Sequence, residues 1–220
     1  MIPQLAVLVD FDGTFTQQDV GELLLDTFAP PEWRKEAEAW RTGAITFKEL
    51  NEREFAHLPA RKRLEMVQFA LERATLRPGT VALARFCKLR EIPLEIVSGG
   101  LDFYIRPILE KFGMERIPLS ASKIADFSQG ERVVPAYPPD VVVCETSGVC
   151  KCSRVWHYWE EGYRVVFVGD GNSDRCVAGE ADVVYARRAL ARYCQVQGIA
   201  HTPFETMDEV VAGLKSLLGE

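Results

Sequence analysis

Apolar runs of strand length recur along the chain, with helix-like segments between them. Four runs have the continuous apolar character of strands buried on both faces of a sheet: Leu5–Asp10, Pro93–Ser98, Arg164–Asp170 and Asp182–Ala186. The clearest helical segments, which have amphipathic spacing, are Thr80–Glu91, Phe103–Gly113, Ser153–Gly162 and Thr206–Glu220. This alternation predicts an α/β fold with a mostly parallel, Rossmann-like sheet and right-handed crossovers.

One long interval, residues 16–77, breaks this alternation because it contains no convincing strand. It has the pattern of successive helices, and two pairs have the spacing of a capping box: Thr16 with Asp19, and Thr46 with Glu49. A crossover between parallel strands needs only about a dozen residues, so this interval is too long for one. We therefore expect an inserted α-helical cap at 16–77 and an α/β core made of 1–15 and 78–220. A second irregular interval suggests a hairpin around Ser128–Gly130.

Length and charge restrict the class of protein. A chain of 220 residues can bury one core and carry a smaller inserted domain. The formal net charge of −6 supplies no basic field, so we expect neither nucleic acid nor an anionic membrane as a partner. No apolar run approaches membrane-spanning length, and the first residues do not resemble a signal peptide. Six cysteines without an export signal favour thiols in a reducing compartment, so the expected location is cytoplasmic.

Acidic side chains gather at the ends of the first and third predicted strands. Asp10 and Asp12 stand two residues apart in VDFDGT, and Asp170 and Asp174 belong to GDGNSD. Alternate residues of an extended segment share a face, so we expect Asp10 and Asp12 to point the same way. The carboxyl ends of parallel strands form the ligand-binding edge of an open α/β sheet. Carboxylates clustered at that edge favour a shared Mg²⁺ ion.

Two further segments suit a phosphate group. Ser98, Gly99 and Gly100 follow the second predicted strand, just before a helix, where a hydroxyl and backbone N–H groups can bind an oxyanion. Lys151 lies between a loop and the next helix and offers a compact positive charge. Taken singly, each feature has an ordinary alternative, such as a solvated turn, a helix cap or a surface lysine. Their joint order along the chain favours a catalytic site.

In that order the segments resemble the motifs of the haloacid dehalogenase superfamily. Its first motif, D-x-D-G-T, is matched by Asp10–Thr14, and its second, a strand ending in Ser or Thr, is matched by Ser98. Its lysine is best matched by Lys151, and its G-D-G-x-x-D motif is matched by Gly169–Asp174. The resemblance covers about residues 1–190. The helical interval between the first two motifs is similar to the cap of the phosphoserine phosphatase subclass.

The resemblance implies a Mg²⁺-dependent phosphatase that works through an aspartyl-phosphate intermediate. It implies that Asp10 attacks phosphorus and that Asp12 protonates the leaving group and later activates water. The implied ligands of Mg²⁺ are the Asp10 and Asp170 carboxylates and the backbone carbonyl of Asp12. Asp174 would orient Lys151 or the water shell of the metal, and it is counted with Asp10, Asp12 and Asp170 among the candidate metal-site residues. The implied donors to the equatorial phosphate oxygens are Ser98, Gly99 and Lys151. The cap would exclude water and select the substrate.

Two substrates are considered by name, both of them small phosphorylated metabolites, and another small phosphate monoester stays open as a further alternative. The segment CETSGVCKCSRV around Lys151 resembles the 2-hydroxy-3-keto-5-methylthiopentenyl-1-phosphate phosphatases of methionine salvage. The alternative is phosphoserine, because Asp19 stands where phosphoserine phosphatases have a glutamate that grips the substrate ammonium. Arg53, however, is out of register by one with the cap arginine of those enzymes.

Other readings stay open. One is a catalytically silent relative that only binds a phosphometabolite, and another is phosphoryl transfer to an acceptor other than water. Cys144, Cys150 and Cys152 could form a zinc site, although their spacing departs from the paired C-x₂-C pattern. The protein is expected to be a monomer or a homodimer.

Overall fold

A computed structural model describes residues 4–125 and 132–220 of the chain. The strands are β1 (Leu5–Val9), β2 (Leu94–Leu101), β3 (Leu119–Ile124), β4 (Pro135–Ala136), β5 (Val143–Cys144), β6 (Gly148–Val149), β7 (Arg164–Gly169), β8 (Val183–Ala186) and β9 (Thr202–Pro203). The helices are α1 (Val20–Phe28), α2 (Trp33–Arg41), α3 (Phe47–Phe55), α4 (Arg63–Arg73), α5 (Thr80–Leu89), α6 (Asp102–Lys111), α7 (Lys151–Glu160), α8 (Arg175–Ala178), α9 (Arg188–Gln197) and α10 (Met207–Leu217).

The chain divides into two compact units. The first consists of Met1–Gln17, Thr75–Val97 and Lys151–Glu220, and the second consists of Gln18–Ala74 and Ser98–Cys150. The chain passes from the first unit to the second within β2, between Val97 and Ser98. None of the described helices is both long enough and apolar enough to cross a membrane.

The first unit is built on a parallel sheet with the strand order β2–β1–β7–β8–β9. All five residues of β1 are buried, as are the last five of the six residues of β7, because other parts of the unit cover both faces of these strands. In this register Val9 of β1 pairs with Val168 of β7, so the carboxyl ends of the two strands lie side by side. The predicted α/β fold with a mostly parallel sheet is confirmed, and the residues that follow β1 and β7 are brought together.

The four predicted strands are present as β1, β2, β7 and β8, with one notable difference in length. β2 continues to Leu101, so Ser98, Gly99 and Gly100 lie within the strand and not after it. Two consecutive glycines are poor strand formers by propensity, which is why the sequence indicates an earlier end. Burial of almost the whole strand overrides that local preference.

The second unit contains helices α1 to α4 and α6, together with two short antiparallel strand pairs, β3 with β4 and β5 with β6. The predicted capping box at the start of α3 is confirmed: the Thr46 hydroxyl accepts from Glu49 N, and the Glu49 carboxylate accepts from Thr46 N. The predicted box of Thr16 with Asp19 is wrong. The Thr16 hydroxyl donates to Phe11 O, and Asp19 itself caps α1 by accepting from Glu22 N at 2.8 Å.

The helices of Gln18–Ala74 lie within the predicted cap, and the contacts of the chain group them with Ser98–Cys150. The covering role of this segment stays a prediction. The hairpin predicted around Ser128–Gly130 lies outside the described residues.

Candidate active site

The loop after β1 is built around a tight turn at Asp12 and Gly13. The Asp10 amide still belongs to the sheet, because it donates to a carbonyl oxygen of β7 at 2.9 Å. The backbone angles, −71° and 122° at Asp12 and 73° and −6° at Gly13, are those of a type II turn, which favours glycine at its third residue. A Cβ atom at residue 13 would also lie 2.8 Å from Asp170 Oδ2. The strand therefore ends at Val9 and the chain turns at Asp12 and Gly13, while the expectation that Asp10 and Asp12 point the same way stays a prediction.

Two buried arginines hold the carbonyl groups of this loop. Arg77 donates to the carbonyl oxygens of Thr14 at 2.7 Å, Gly13 at 2.5 Å and Thr16 at 3.2 Å. Arg187 donates to the same oxygen of Gly13 at 3.2 Å. Sequence reasoning missed both arginines, because neither belongs to a recognisable motif and both are distant along the chain from the residues that they hold.

A lysine and three aspartates form a buried cluster beside the loop. Lys151 Nζ lies 2.6 Å from Asp10 Oδ1 and 2.5 Å from Asp174 Oδ1. The side chains of Lys151 and Asp174 are only 5% and 0% exposed. Carboxylate oxygens of Asp10, Asp170 and Asp174 all lie within 4.8 Å of one another. The structure thus brings together four of the side chains that the sequence nominates.

Asp170 and Asp174 are held by different partners. Asp170 Oδ1 accepts from the Thr14 hydroxyl at 3.0 Å, and its Oδ2 lies 3.6 Å from a guanidinium nitrogen of Arg188. Asp174 uses both carboxylate oxygens within the protein: Oδ1 pairs with Lys151, and Oδ2 accepts from the backbone N–H groups of Asp170 and Gly171 at 3.1 and 3.0 Å. These bonds favour the orienting role that the resemblance allows for Asp174 over direct binding of a metal.

Burial dominates the titration of this cluster. Desolvation raises the pKa of Asp10 well above its ordinary value, and the carboxylates of Asp174 and Asp170 add to the rise, while Lys151 opposes it. Desolvation and the Asp174 carboxylate likewise raise the pKa of Asp170. Burial disfavours the charged form of Lys151, but Asp10 and Asp174 outweigh burial and raise the pKa of the lysine. Lys151 is therefore cationic, and its charge stabilises the carboxylates that it contacts.

The donor set suits a hard divalent cation. The oxygen atoms of Asp10 and Asp170 are close together, buried and anionic, and Mg²⁺ prefers oxygen ligands supplied by one or two carboxylates. Asp174 already accepts from Lys151 and from two backbone amides, which leaves it fewer free lone pairs than Asp10 and Asp170, and the choice of metal ligands among the three stays a prediction. The residues present thus fit the Mg²⁺ ion that the family implies.

The predicted phosphate-binding segment lies on β2 within the second unit. Ser98 is 1% exposed, and its Oγ accepts from the Gly100 amide at 3.0 Å. The Gly99 carbonyl accepts from Asn51 Nδ2 of α3 at 3.1 Å. Sequence reasoning did not single out Asn51, because an asparagine in the middle of a polar helix carries no distinguishing pattern.

Two other nominated residues lie in positions that the sequence did not predict. Lys151 is the first residue of α7 and does not precede the helix. Asp19 is exposed and caps α1, so its hydrogen bond gives it a structural task independent of any ligand. None of the six cysteines, all of which lie within the described residues, forms a disulfide.

Comparison with known proteins shows the family of the chain. The model of the haloacid dehalogenase-like hydrolase family matches residues 7–179. The 2-hydroxy-3-keto-5-methylthiopentenyl-1-phosphate phosphatase of Geobacillus kaustophilus is 37% identical, over 99% of this chain and 98% of that protein. The phosphatase of the same name from Brevibacillus brevis is 32% identical, over 100% and 99%.

Solved structures agree on the fold. A structure titled as a phospho-aspartyl intermediate analogue of phosphoserine phosphatase has a TM-score of 0.70 and 19% identity, and the match covers 96% of this chain and 99% of that one. At that identity the likeness shows the fold alone. The predicted enzyme class, a phosphoric monoester hydrolase, is confirmed by the family match together with the named relatives. The chain belongs to the haloacid dehalogenase-like hydrolase family.

Proposed function

We propose that the protein is a Mg²⁺-dependent phosphatase whose substrate is 2-hydroxy-3-keto-5-methylthiopentenyl-1-phosphate, an intermediate of methionine salvage. The choice of substrate rests on two relatives that match over their full length, are named as phosphatases of this compound, and are 32% and 37% identical to the chain. The chemistry rests on one observation above the others, the contact of Lys151 Nζ with both Asp10 and Asp174 in a buried cluster of three carboxylates.

The first step is attack by Asp10 on phosphorus. A new bond forms between a carboxylate oxygen of Asp10 and phosphorus as the ester P–O bond breaks, which gives an aspartyl-phosphate. Lys151 holds Oδ1 of Asp10 at 2.6 Å and so fixes the direction of the carboxylate. Asp12 donates a proton to the departing alkoxide, which leaves as an alcohol.

The second step releases phosphate. Asp12, now ionised, takes a proton from a water molecule, whose oxygen attacks phosphorus. The bond between Asp10 and phosphorus breaks, and inorganic phosphate departs. Lys151 is buried and held by Asp174 as well as by Asp10, so its charge is fixed in place for the equatorial oxygens in both steps. Mg²⁺, when bound by Asp10, Asp170 and the Asp12 carbonyl, would neutralise phosphate charge and offset the repulsion between the carboxylates.

A panel assay tests the substrate. Phosphate release would be measured with and without Mg²⁺ on the methionine-salvage intermediate, phosphoserine, a sugar phosphate and an aryl phosphate. We expect the highest kcat/KM with the methionine-salvage ester and no turnover without the metal. A higher kcat/KM for phosphoserine would replace the proposed substrate. The absence of phosphate release from every ester would support a silent binding relative instead.

The nucleophile is tested by Asp10→Asn, with Asp140→Asn as a matched control. Asp140 is exposed, so its substitution should leave turnover unchanged. Asp10→Asn should still fold, because the amide nearly matches the carboxylate in shape, but it should have no measurable turnover and form no acid-stable phosphoenzyme. Undiminished turnover by the folded Asp10→Asn protein would remove Asp10 as the nucleophile.

A further inference from the structure

One face of α3 packs directly against the backbone of Gly99. Phe47 and Asn51 are four residues apart and therefore share that face of the helix. A Cβ atom on Gly99 would lie 2.8 Å from Phe47 Cε1 and 3.1 Å from Asn51 Nδ2. The close approach of the strand to the helix therefore favours glycine at this position.

Asn51 makes a specific hydrogen bond in this contact. Its side-chain N–H donates to Gly99 O at 3.1 Å, and the residue is only 5% exposed. The capping box at Thr46 and Glu49 fixes the start of the helix that carries it. A buried amide bonded to a main-chain carbonyl restricts rotation of the peptide group to which that carbonyl belongs.

That peptide group also carries the Gly100 N–H, because the carbonyl of one residue and the amide of the next form one planar unit. The Gly100 N–H donates to Ser98 Oγ at 3.0 Å. The Gly99–Gly100 peptide is thus held at its oxygen by Asn51 and at its nitrogen by Ser98. Since Ser98 Oγ accepts one hydrogen bond from this peptide, its own hydroxyl hydrogen is left to donate to another acceptor.

We infer that Asn51 is a positioning residue for phosphoryl transfer. It acts through the Gly99–Gly100 peptide, fixing the hydroxyl of Ser98 as a donor to a phosphate oxygen. The inference rests on the proposed function for the identity of that acceptor. The inference adds a residue of α3 to the groups that position the phosphate. None of the sequence motifs at the strand ends includes a residue of this helix. Because Asn51 acts on the phosphoryl end, its contribution is the same for every phosphate ester.

Asn51→Asp is the decisive variant, since the carboxylate keeps the shape of the side chain and replaces the N–H donor with a second acceptor. We expect kcat/KM to fall by about ten- to a hundredfold, the effect of leaving one buried hydrogen bond unmade. The fall should be equal for an aryl phosphate and for the methionine-salvage ester, and the inhibition constant for inorganic phosphate should rise. Glu52→Gln, the next residue on α3, retains an acceptor for Tyr137 and should leave these constants unchanged.

A double-mutant cycle with Ser98→Ala separates a positioning role from a general loss of packing. If Asn51 acts through Ser98, then Asn51→Asp should cost less than about twofold in the Ser98→Ala background. Losses that multiply in the double variant, or that differ between the two esters, would overturn the inference.

Amide hydrogen exchange of Gly100 supplies a readout that needs no turnover. We expect faster exchange of that amide in Asn51→Asp, with little change at amides of β7. An unchanged rate at Gly100 would overturn the inference even in an active enzyme. A different outcome would separate the two proposals: the unaltered protein releases no phosphate, but Gly100 exchanges faster in the variant. That result would count against the proposed function and would still support the contact of Asn51 with the Gly99–Gly100 peptide.

Discussion

Replacing Arg77 by lysine should destabilise the protein, although the charge is conserved. Arg77 is 5% exposed. Its guanidinium donates to four main-chain oxygens, those of Thr14, Gly13, Thr16 and Glu205, at 2.7, 2.5, 3.2 and 3.2 Å. Burial, together with the neighbouring Arg187, lowers the pKa of Arg77 to about 10, which leaves it cationic at neutral pH. A lysine has one nitrogen at its tip and cannot serve acceptors that lie in several directions.

The expected magnitude follows from the acceptors left without a donor. A hydrogen bond from a charged donor contributes about 1.5–3 kcal/mol to stability. The four bonds cannot simply be added, because Gly13 O also accepts from Arg187 and lysine would retain part of the interaction. We therefore expect Arg77→Lys to lower the free energy of unfolding by about 3 kcal/mol. For a chain of this size that loss corresponds to a fall of roughly 6–12 °C in the melting temperature.

The assay is thermal and urea unfolding at neutral pH, with Arg85→Lys as the matched control. Arg85 is exposed on α5, so the same substitution there should change the unfolding free energy by less than about 0.5 kcal/mol. Arg77→Lys should also lower kcat, since the carbonyls that it releases belong to the loop after Asp10. If the two variants unfold at the same temperature and urea concentration, the hydrogen bonds of Arg77 do not hold this loop.

Three further predictions concern single residues. Gly13→Ala should lower the melting temperature and weaken activation by Mg²⁺, because residue 13 has φ near +73° and a Cβ atom would crowd a carboxylate oxygen of Asp170. Wild-type values in both measurements would contradict this prediction. Asp174→Asn should lower kcat without changing the Mg²⁺ concentration for half-maximal activity, since Asp174 pairs with Lys151. A large change in that concentration would indicate that Asp174 binds the metal. Burial raises the pKa of Cys144, but hydrogen bonds from the following residues outweigh it and bring the pKa to about 7, whereas burial raises that of Cys87 to about 12. Alkylation of Cys144, followed by mass spectrometry, should therefore reach half its maximal rate near pH 7 with Cys87 unlabelled, and a midpoint above pH 8 would contradict the assignment.

Elements with a strong pattern were predictable from the sequence. The apolar runs located the parallel strands β1, β2, β7 and β8 to within one residue at every end except the end of β2, because strands buried on both faces leave little choice of side chain. The G-D-G-x-x-D spacing nominated Asp170 and Asp174 at the end of β7, and the register of β1 with β7 brings them beside Asp10. The antiparallel pair β3 and β4 lies in the interval for which a hairpin was predicted, whereas β5, β6 and β9 were not predicted, since segments of two residues carry too little periodicity.

Contacts made by tertiary structure were beyond sequence reasoning. The hydrogen bond of Thr14 to Asp170 spans 156 positions of the chain, and that of Arg187 to Gly13 spans 174. Local rules also failed where two local preferences competed. Thr16 and Asp19 have the spacing of a capping box, yet the Thr16 hydroxyl bonds to the loop after β1, and Asp19 alone caps α1.

The two oxygens of Asp174 explain how the cluster can hold three carboxylates. If Asp174 were also a metal ligand, the cation would compete with Lys151 and two backbone amides for the lone pairs of its two oxygens. Asp174 already accepts from Lys151 and from two backbone amides, so we propose that it orients the lysine and leaves the metal to Asp10 and Asp170. The negative charge that remains is on Asp10 and Asp170, and burial raises the pKa of both. A divalent cation between these two would remove their repulsion, and the lysine is then left to act on the substrate because another residue holds it.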